Sequence, residues 1–397
     1  MANNTTGKKI LMLLENNPYP HDGRVRREAK TLIAAGHHVS IISPGRKHQP
    51  WKETIDNVHA FRYPEPVQAD GFLGYIWEYS YSMLASFFLS LYVFFNRGFD
   101  VIHAHNPPDT FVFIAAFYKI FGKQFVFDHH DLSPEMYYAR FSGEGNKIVY
   151  KALLAIEKMT FRFADHVIAT NESYKEIAVT RGKVDKEKVS IVRNGPELKR
   201  LRLSEPDQEL QAMGKTIIGF VGDMGYHDGV DNLIRAIHCL VTELGRTDFY
   251  CVIIGEGDAW EDMKKLTTKL KLDTYVRFTG FIPDADMLRY LSTADICVDP
   301  DPKNDFTNRS TMIKMMEYMA LAKPIVAFRL KEHTVTALEA ASYAQPNDPA
   351  DLARCIAELM DNPEQRQKMG KIGRKRIETE LAWQFQEPNL VTAYESL

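Results

Sequence analysis

The stretch TIIGFVGDMGYHDGVDNLIRA (residues 216–236) decides the fold class of this chain. A short apolar run ends in glycines, and apolar residues at helical spacing follow it. A strand that passes through a glycine-rich loop into a helix is the first half of a βαβ unit. The loop carries Gly222, Gly225 and Gly229, and a helix that starts there offers its first amides to a phosphate. The stretch therefore predicts a parallel sheet with a ligand site at its carboxyl edge.

The same alternation of short apolar runs and helical patterns continues on both sides of this stretch, which is typical of α/β proteins. Helices are predicted at 232–243, 259–270 and 314–321. The predicted strands are 9–14, 38–42, 101–104, 124–127 and 166–169 in the first half, and 216–221, 250–254, 276–279, 296–298 and 324–327 in the second. Two parallel-sheet, Rossmann-like domains that face a cleft account for both sets.

The domain boundary is predicted in the polar stretch LKRLRLSEPDQELQAMG, which begins at Leu198 and contains no strand pattern. An N-terminal domain over 1–197 and a linker over 198–213 precede a C-terminal domain over 214–380. At 397 residues, the chain has the length of two ordinary domains.

Composition narrows the class of partner. The formal net charge is only −3, whereas a nucleic-acid-binding chain normally carries a strongly basic patch, so no nucleic acid is expected. Residues up to Glu197 carry +3 and the remainder −6, which makes the first half the better candidate for contact with an anionic membrane. The four cysteines are far apart and form no C-x-x-C pair, which favours free thiols in the cytoplasm. The first apolar run is too short for a signal peptide and is interpreted as a strand.

Residues 72–95 are the one stretch that approaches the length and apolar character of a membrane span. Four serines interrupt the stretch, and Glu78 and Arg97 flank its uncharged part. A helix packed on the N-terminal sheet is the favoured interpretation. The alternative is an interfacial helix whose aromatic side chains, among them Tyr75, Trp77, Phe88 and Phe95, lie at the lipid boundary without crossing it.

Polar residues cluster in the loops that follow the N-terminal strands. In HDGRVRRE, Gly23 precedes Arg24 and Arg27, two cations that suit an anion near a helix start. HAHNPPD and DHHDLSPE follow two later strands, and their histidines, amide and carboxylates suit hydrogen bonds to a polar substrate such as a sugar. The acceptor-side candidates are Arg24, Arg27, His105, Asn106 and Asp131. A metal is the least favoured interpretation, because no ligand spacing is recognisable.

Two further loops in the second half complete the candidate site. IIGEGD places Glu256 and Gly257 after a strand, and Lys314 and Glu317 lie on one face at the start of a predicted helix. A cation beside helix-start amides suits a diphosphate, and a carboxylate one turn further on suits the hydroxyls of a ribose.

In their order and spacing, these segments resemble the family-4 glycosyltransferases. Those enzymes have the GT-B fold and retain the anomeric configuration of the sugar. HDGRVRREAKTLIAAGHHVSIIS, FVFDHHDLSPE, VIIGEGD and EYMALAKPIVAF each resemble a family segment, and residues 381–397 resemble the helix that crosses back onto the N-terminal domain. The resemblance implies transfer of a sugar from a UDP- or GDP-sugar donor to an acceptor, with retention. It implies no metal or other cofactor. The Asp299-Pro300-Asp301 sequence looks like the D-x-D metal motif of the other glycosyltransferase fold, but the two-domain pattern argues against that fold.

The resemblance also implies roles for single residues. His130 would contact the donor sugar and Gly23 the phosphates or the acceptor. Glu317 would bind the ribose, and Glu256 and Gly257 would lie near the base.

Two departures from the family pattern concern the diphosphate. Arg309 stands where the family has its first glutamate, and Asp223 and Asp228 stand where it has an arginine and a lysine. A diphosphate needs charge compensation, so we expect Arg309, Lys314 and the amides of the first glycine loop to supply it. Arg309, Lys314 and His130 are therefore the predicted catalytic residues, and Gly222, Gly225 and Gly229 join the donor site.

The sequence leaves the acceptor open. The resemblance favours a lipid-linked saccharide in bacterial surface or extracellular polysaccharide assembly, and a cytoplasmic protein, peripheral at the inner face of the membrane. Two alternatives stay open: a nucleotide-sugar 2-epimerase of the same fold, and a non-catalytic protein that binds nucleotide-sugars.

Overall fold

A computed structural model describes residues 7–66, 71–141 and 143–397, apart from the side chains of 71–73, 75 and 76. The chain forms two compact units. The N-terminal unit holds the described residues up to Tyr137 together with Gly145–Asn194 and Gln386–Leu397, and the C-terminal unit holds the described residues of Tyr138–Glu144 together with Gly195–Phe385. The prediction for the Tyr75 side chain lies outside the described residues.

The N-terminal unit is built on a sheet of eight strands in the order β3-β4-β2-β1-β5-β6-β7-β8. All of its pairings are parallel except that of β3 with β4. Its strands are β1 (Lys9–Leu13), β2 (His38–Gly45), β3 (Lys52–Ile55), β4 (Val58–Pro64), β5 (Val101–His105), β6 (Gln124–His129), β7 (His166–Ala169) and β8 (Val189–Ile191). Its helices are α1 (Gly23–Ala34), α2 (Gly71–Asn96), α3 (Val112–Lys119), α4 (Ser133–Arg140), α5 (Lys147–Phe163) and α6 (Glu172–Thr180), with α4 ending beyond Tyr137.

The C-terminal unit has a parallel sheet in the order β11-β10-β9-β12-β13-β14. Its strands are β9 (Thr216–Val221), β10 (Phe249–Ile254), β11 (Val276–Phe278), β12 (Ile296–Asp299), β13 (Ile325–Phe328) and β14 (Ala341–Ala344). Its helices are α7 (Gln208–Ala212), α8 (Val230–Thr242), α9 (Trp260–Lys269), α10 (Asp284–Thr293), α11 (Ile313–Ala320), α12 (Lys331–Ala337), α13 (Pro349–Met360) and α14 (Pro363–Arg376). The fold class predicted from the strand and helix pattern is confirmed.

Every strand and helix of the prediction is present, and the differences lie in what it omits. It omits the hairpin of β3 and β4, whose two-residue turn consists of Asp56 and Asn57, both at positive φ. Asp and Asn are residues that such a turn favours, so the signal was present in the sequence. It also omits β8 and β14, which are short and carry no long apolar run.

The stretch 198–213, predicted as a linker, is packed into the C-terminal unit. Leu201 and Leu210 are buried in the core of that unit, and α7 lies within the stretch. Burial of two leucine side chains stabilises the packed position by about 1.5 to 3 kcal/mol each. The polar residues around them hid this anchoring from a prediction based on composition.

The end of the chain returns to the N-terminal unit as α15 (Glu387–Glu395), within the predicted range 381–397. The ammonium of Lys8 donates to the carbonyls of Tyr394 and Leu397 at 2.9 and 2.6 Å. The hydroxyl of Tyr394 lies 2.7 Å from His103 Nδ1, beneath the carboxyl edge of the sheet. The last helix is therefore part of the interior of this unit.

Helix α2 is the stretch whose membrane character was in question. It has 26 residues, and Ser82, Ser86 and Ser90 are buried, with the Ser90 hydroxyl 2.9 Å from that of Tyr118 in α3. Within the described part of the chain, none of the helices combines the length and hydropathy that crossing a membrane requires.

The turn into α8 depends on a glycine without a side chain. Gly229 caps α8 at φ +69°, and a Cβ there would lie 2.2 Å from the carbonyl oxygen of Pro300, in the loop after β12. Two loops therefore approach each other at this glycine more closely than any side chain would allow.

We predict that Gly229→Ala destabilises the protein by about 1 to 3 kcal/mol more than Gly245→Ala, as measured by urea unfolding. Both glycines have left-handed φ, so alanine costs roughly 1 to 2 kcal/mol of backbone strain at either site. Gly245 has open space where a Cβ would lie, whereas Gly229 has the Pro300 carbonyl. Equal losses for the two variants would contradict the close approach.

Candidate functional site

Three loops meet at the carboxyl edge of the C-terminal sheet. The loop after β9 and the loop after β10 lie back to back, because Met224 N–H donates to the Glu256 carbonyl at 3.1 Å. A Cβ on Gly257 would lie 2.8 to 2.9 Å from the backbone of Met224. The loop after β12 joins them through Asn232 of α8, whose side-chain amide donates to Pro300 O at 3.2 Å. The structure thus brings together the predicted donor regions that lie in the C-terminal unit.

Lys314 is the cation of this region, but it is already paired. Its ammonium donates to Asp301 Oδ1 at 2.8 Å and lies 3.8 Å from Asp299 Oδ1. Burial opposes the charged form, yet these carboxylates, Asp301 first, raise the pKa of Lys314 above its usual value. The side chain passes Gly222, where a Cβ would lie 3.7 Å from Lys314 Cε. We call Asp299, Asp301, Lys314 and His333 the C-terminal cluster.

Carboxylates outnumber cations around this cluster. Burial and the charge of Asp299 raise the pKa of Asp301 well above its usual range. Burial and the charge of Asp228 raise the pKa of Asp223. Burial lowers the pKa of His333, so its imidazole favours the neutral form. Several carboxyl groups therefore crowd the region predicted to bind an anion, and their raised pKa values favour the neutral form of Asp301 and Asp223.

Arg309 and Glu317 differ in how far their side chains are exposed to solvent. Arg309 lies in the turn before α11, is 38% exposed and is 3.9 Å from the exposed Asp305. Glu317 is nearly buried, and its Oε1 accepts from Arg200 Nη1 at 3.0 Å. Arg200 also donates to both oxygens of Asp284, at 2.6 and 2.9 Å, so the Glu317 carboxylate has a fixed neighbour.

Sequence reasoning missed Arg200 and His333. Arg200 stands in the stretch taken as a linker, and its partners are distant in sequence, so no local pattern indicates it. His333 lies in α12, five residues after the end of β13, and a search of strand-end loops for polar residues would have included it.

At the carboxyl edge of the N-terminal sheet, a second cluster of charged groups is buried. We call Arg24, Glu28, His103, His105 and Asp128 the N-terminal cluster. Arg24 Nε and Nη2 donate to the two oxygens of Asp128 at 2.7 and 2.8 Å, and Nη2 lies 3.0 Å from Glu28 Oε1. Although burial acts in the opposite direction, Arg24 holds the pKa of Asp128 well below its usual range.

Two residues that were predicted on the acceptor side, Arg24 and His105, belong to the N-terminal cluster. Arg24 was predicted to contact an anion of the substrate, but its guanidinium binds carboxylates of the protein itself and is 5% exposed. His105 is buried, with Nδ1 2.9 Å from Asp128 Oδ2 and its ring stacked on that of His103. Burial lowers the pKa of His103 to about 3, which keeps that imidazole neutral.

Asn106 ties the loop after β5 to the loop after β6. Its Oδ1 accepts from the backbone N–H groups of His130 and Asp131 at 2.8 and 3.0 Å. Its Nδ2 donates to Asp109 Oδ1 at 3.0 Å and to the carbonyl of Asp131 at 2.7 Å. The predicted ligand Asn106 thus fixes the backbone of the two predicted residues that follow β6.

His130 is the partly accessible group of this region, with 13% of its side chain exposed. Its Nδ1 lies 3.5 Å from Asp128 Oδ1. Burial opposes the charged form, but Asp128 and Asp131 raise the pKa of His130 above its usual value. Gly23 and Arg27 lie in the first turns of α1. Asp22 caps this helix by accepting from Val25 N–H at 2.9 Å.

Two family models match the chain. The model for "Glycosyltransferase Family 4" matches residues 24–200, and the model for "Glycosyl transferases group 1" matches residues 215–362. Both halves of the chain thus match glycosyltransferase models, which indicates a nucleotide-sugar-dependent glycosyltransferase, and family 4 is consistent with both matches. The fold is that of the GT-B glycosyltransferases.

Individual proteins agree with this family. An uncharacterized glycosyltransferase of Methanocaldococcus jannaschii, MJ1607, is 24% identical over 92% of this chain and 91% of its own. A second one from that organism, MJ1069, is 24% identical, and the chain spans only 60% of its length. Sucrose-phosphate synthase from Thermosynechococcus elongatus shares the fold with a TM-score of 0.79 at 19% identity over 98% of both chains. Anabaena HepE in complex with UDP and glucose shares it with a TM-score of 0.73 at 16% identity, over 98% of this chain and 100% of its own.

We predict that Arg24→Ala destabilises the protein by about 3 to 5 kcal/mol, because it leaves the carboxylates of Asp128 and Glu28 buried without their cation. Lys30→Ala removes another cation from the same helix, one that forms an exposed ion pair with Asp56 at 2.9 Å. That control should cost at most about 1 kcal/mol. Urea unfolding measures both, and similar losses would contradict a buried role for Arg24.

We also predict that Asp131→Asn lowers the pKa of His130, because removal of a nearby negative charge disfavours the imidazolium. Titration of the imidazole resonances by NMR measures the shift, with His130→Gln to assign the signal. Asp56→Asn, a change at an exposed carboxylate, should leave the titration in place. An unmoved pKa in Asp131→Asn would show that Asp131 does not act on this histidine.

Proposed function

We propose that this chain transfers a sugar from a UDP- or GDP-sugar to a lipid-linked saccharide, with retention, at the inner face of a bacterial cell membrane. The product would enter surface or extracellular polysaccharide. The observation that carries the proposal is the meeting of two glycine loops, the start of α8 and Lys314 at one sheet edge.

The donor diphosphate is assigned to the loop after β9 and the start of α8. Helix-start amides carry a partial positive charge and suit phosphate oxygens. Lys314 adds a cation at the same edge. The solved structure of HepE with UDP supports a UDP-sugar as one donor. Arg309, the second predicted cation, is a further candidate for contact with the diphosphate.

The ribose is assigned to Glu317, whose carboxylate can accept from two hydroxyls. Arg200 holds Oε1 from one side, and Asp284 in turn holds Arg200, so the carboxylate is oriented before the donor binds. A preorganised acceptor loses less entropy on binding than a freely rotating one.

His130 and Asp131 are assigned to the sugars. The Asn106 amide fixes their backbone, and the charge of Asp128 favours the imidazolium form of His130. A cationic donor of hydrogen bonds suits the hydroxyl oxygens of a sugar.

We predict that Glu317→Ala weakens UDP or GDP binding by about 1.5 to 3 kcal/mol, the range for a hydrogen bond to a charged group. Isothermal titration calorimetry measures the loss. Glu339→Ala, a change at an exposed glutamate of the same unit, is the control and should bind as the unaltered protein does. Unchanged affinity in Glu317→Ala would remove the ribose assignment.

Membrane contact is assigned to one face of α2. Trp77, Leu84, Phe88 and Phe95 are 52 to 80% exposed, and their spacing of seven and four residues places them on one side of the helix. Phe113, Ile120 and Phe121 of the neighbouring α3 region are exposed as well, and α3 packs on α2 through the rings of Phe117 and Phe87, 5.2 Å apart.

Cations flank this apolar face. Lys123 Nζ lies 5.7 Å from the ring centroid of Phe94, and Lys52 Nζ lies 5.9 Å from that of Tyr92. Aromatic side chains at the headgroup level with lysines beside them are typical of proteins that lie on an anionic bilayer. The apolar face of α2 thereby supports an acceptor that is held in the membrane.

We predict that the protein sediments with vesicles that contain anionic lipid, and that Phe88→Asp together with Leu84→Asp abolishes this binding without loss of fold. Leu203→Asp, which alters an exposed leucine of the C-terminal unit, should bind as before. Binding that survives the double change would place the membrane contact elsewhere.

Turnover tests the function itself. Purified protein is incubated with a panel of UDP- and GDP-sugars, with and without bacterial lipid extract. We expect release of UDP or GDP only when lipid is present. Consumption of the donor without any acceptor would favour the 2-epimerase, and an unchanged donor despite nucleotide binding would favour the non-catalytic protein.

A further inference from the structure

A cavity of about 480 Å³ lies at the carboxyl edge of the N-terminal sheet, where β2 and β4 end. These strands are parallel neighbours and pair up to Gly45 and Pro64, so the segments that follow them line one space. A cavity of this size lies within the range of those that hold small ligands. The charged and titratable residues of its lining are Arg46, Lys47, His48, Arg62 and Glu65.

Arg62 is the buried cation of this cavity, with 3% of the residue exposed. Its Nη1 donates to the carbonyl of Pro50 at 3.1 Å, and its Nη2 donates to that of Tyr19 at 2.9 Å. Nη2 also lies 2.5 Å from Glu53 Oε1. The stem crosses Gly45, where a Cβ would lie 2.8 Å from Arg62 Cβ. The guanidinium is therefore fixed in the wall of the cavity before any ligand binds.

The two outer cations, Arg46 and Lys47, are carried by a closed turn. Gln49 N–H donates to the Arg46 carbonyl at 3.0 Å, and Arg46 N–H donates to Gln49 Oε1 at 2.8 Å. Within the turn, His48 has φ +75°, a conformation that is uncommon for residues other than glycine. Arg46 and Lys47 are exposed, and neither side chain forms an ion pair with another described residue. Their charges are therefore available to a ligand.

Positive charge extends to the loop after β1. Burial lowers the pKa of His21 in that loop, and the charges of Arg46, Arg62 and Arg26 lower it further. Around the cavity, four cations, Arg26, Arg46, Lys47 and Arg62, thus face the two carboxylates of Glu53 and Glu65. An anion with about two negative charges would balance this excess.

Aromatic contacts join the cavity to α2. Trp51, in the lining, is 54% exposed, and its ring lies edge-on to that of Tyr92 with the centroids 5.5 Å apart. Tyr63 contacts Tyr81 of the same helix, with the centroids 6.2 Å apart. A tryptophan that is half exposed beside cations suits the level of lipid headgroups. The anion would therefore be held next to the helix that is assigned to the membrane.

We propose that this cavity binds a doubly charged phosphate or diphosphate group at the lipid end of the acceptor. Arginine and lysine bind phosphate oxygens through charge-assisted hydrogen bonds. A phospholipid headgroup offers similar chemistry, but a phosphodiester carries one negative charge, and the excess around the cavity is two. The assignment to the acceptor rests on the proposed function, whereas the binding of the phosphate group does not.

Isothermal titration calorimetry of the full-length protein with farnesyl diphosphate, a lipid diphosphate that is soluble in water, is the test. We expect binding that the double change Arg46→Gln with Lys47→Gln weakens by roughly 10- to 100-fold, the effect of losing a hydrogen bond to a charged group. Lys186→Gln with Lys188→Gln removes two exposed cations from the same unit and should bind as the unaltered protein does. Circular dichroism checks the fold of both proteins.

Two outcomes of this titration would overturn the phosphate site. One is undiminished binding of farnesyl diphosphate by the Arg46→Gln, Lys47→Gln protein. The other is displacement of the probe by excess UDP, which would place it in the donor loops.

Dihexanoyl phosphatidylglycerol, a soluble phosphodiester lipid, separates the two sources of phosphate. We expect the unaltered protein to bind it at least roughly 10-fold more weakly than farnesyl diphosphate, because it has one negative charge fewer to pair with the cations. Equal affinity, lost equally in the Arg46→Gln, Lys47→Gln protein, would assign the cavity to phospholipid headgroups and overturn the acceptor assignment.

Sugar transfer to bacterial lipid extract separates the failure of this proposal from the failure of the proposed function. We expect the Arg46→Gln, Lys47→Gln protein to show a higher KM for the lipid and an unchanged KM for the nucleotide-sugar. Transfer with an unchanged KM for the lipid would overturn the assignment to the acceptor and keep the proposed function. A protein that binds farnesyl diphosphate in this cavity but transfers no sugar keeps the phosphate site and loses the proposed function.

Discussion

The carboxyl edge of the C-terminal sheet is arranged around one ammonium group, that of Lys314, which lies between two buried carboxylates. A carboxylate buried at a strand end is costly unless a charge and hydrogen bonds compensate it. Lys314 provides that compensation for one oxygen of each aspartate. Its positive charge is therefore largely balanced by carboxylates of the protein itself. The site predicted for a diphosphate therefore has less free positive charge than the sequence alone suggests.

In the N-terminal unit, an arginine compensates the buried carboxylates. Arg24 satisfies both oxygens of Asp128 and reaches Glu28, so its cluster is compensated from within. One consequence is functional: Asp128, held ionised by Arg24, also favours the charged form of His130, the more accessible group beside it. Arg24 thus influences His130 through Asp128, while its contact with an acceptor stays a prediction. The rigid Asn106 amide adds the geometric part by fixing the backbone of His130.

The sequence predicted most of the fold because the pattern that determines it is local. Strands such as β9 and helices such as α8 follow from apolar periodicity and from the glycines between them. What it missed is non-local or weakly patterned: the edge hairpin of β3 and β4, the short strands β8 and β14, and the anchoring of Leu201 and Leu210. The candidate site divides in the same way. The loops were predicted because they follow strands, but the partners of Lys314, Glu317 and Arg24 come from distant segments, and only the structure brings Asp301, Arg200 and Asp128 beside them.

The central claim is that the C-terminal unit holds a nucleotide diphosphate at the loops after β9, β10 and β12. Hydrogen–deuterium exchange of the full chain with saturating UDP or GDP tests it most directly, because amides at the start of α8 are proposed phosphate ligands and the other two segments carry Glu256, Lys314 and Glu317. We expect slower exchange in residues 222–229, 253–258 and 311–317 with at least one of the two nucleotides. Unchanged exchange in all three segments with both nucleotides, or protection confined to residues 22–28 and 128–131 of the N-terminal unit, would contradict the assignment.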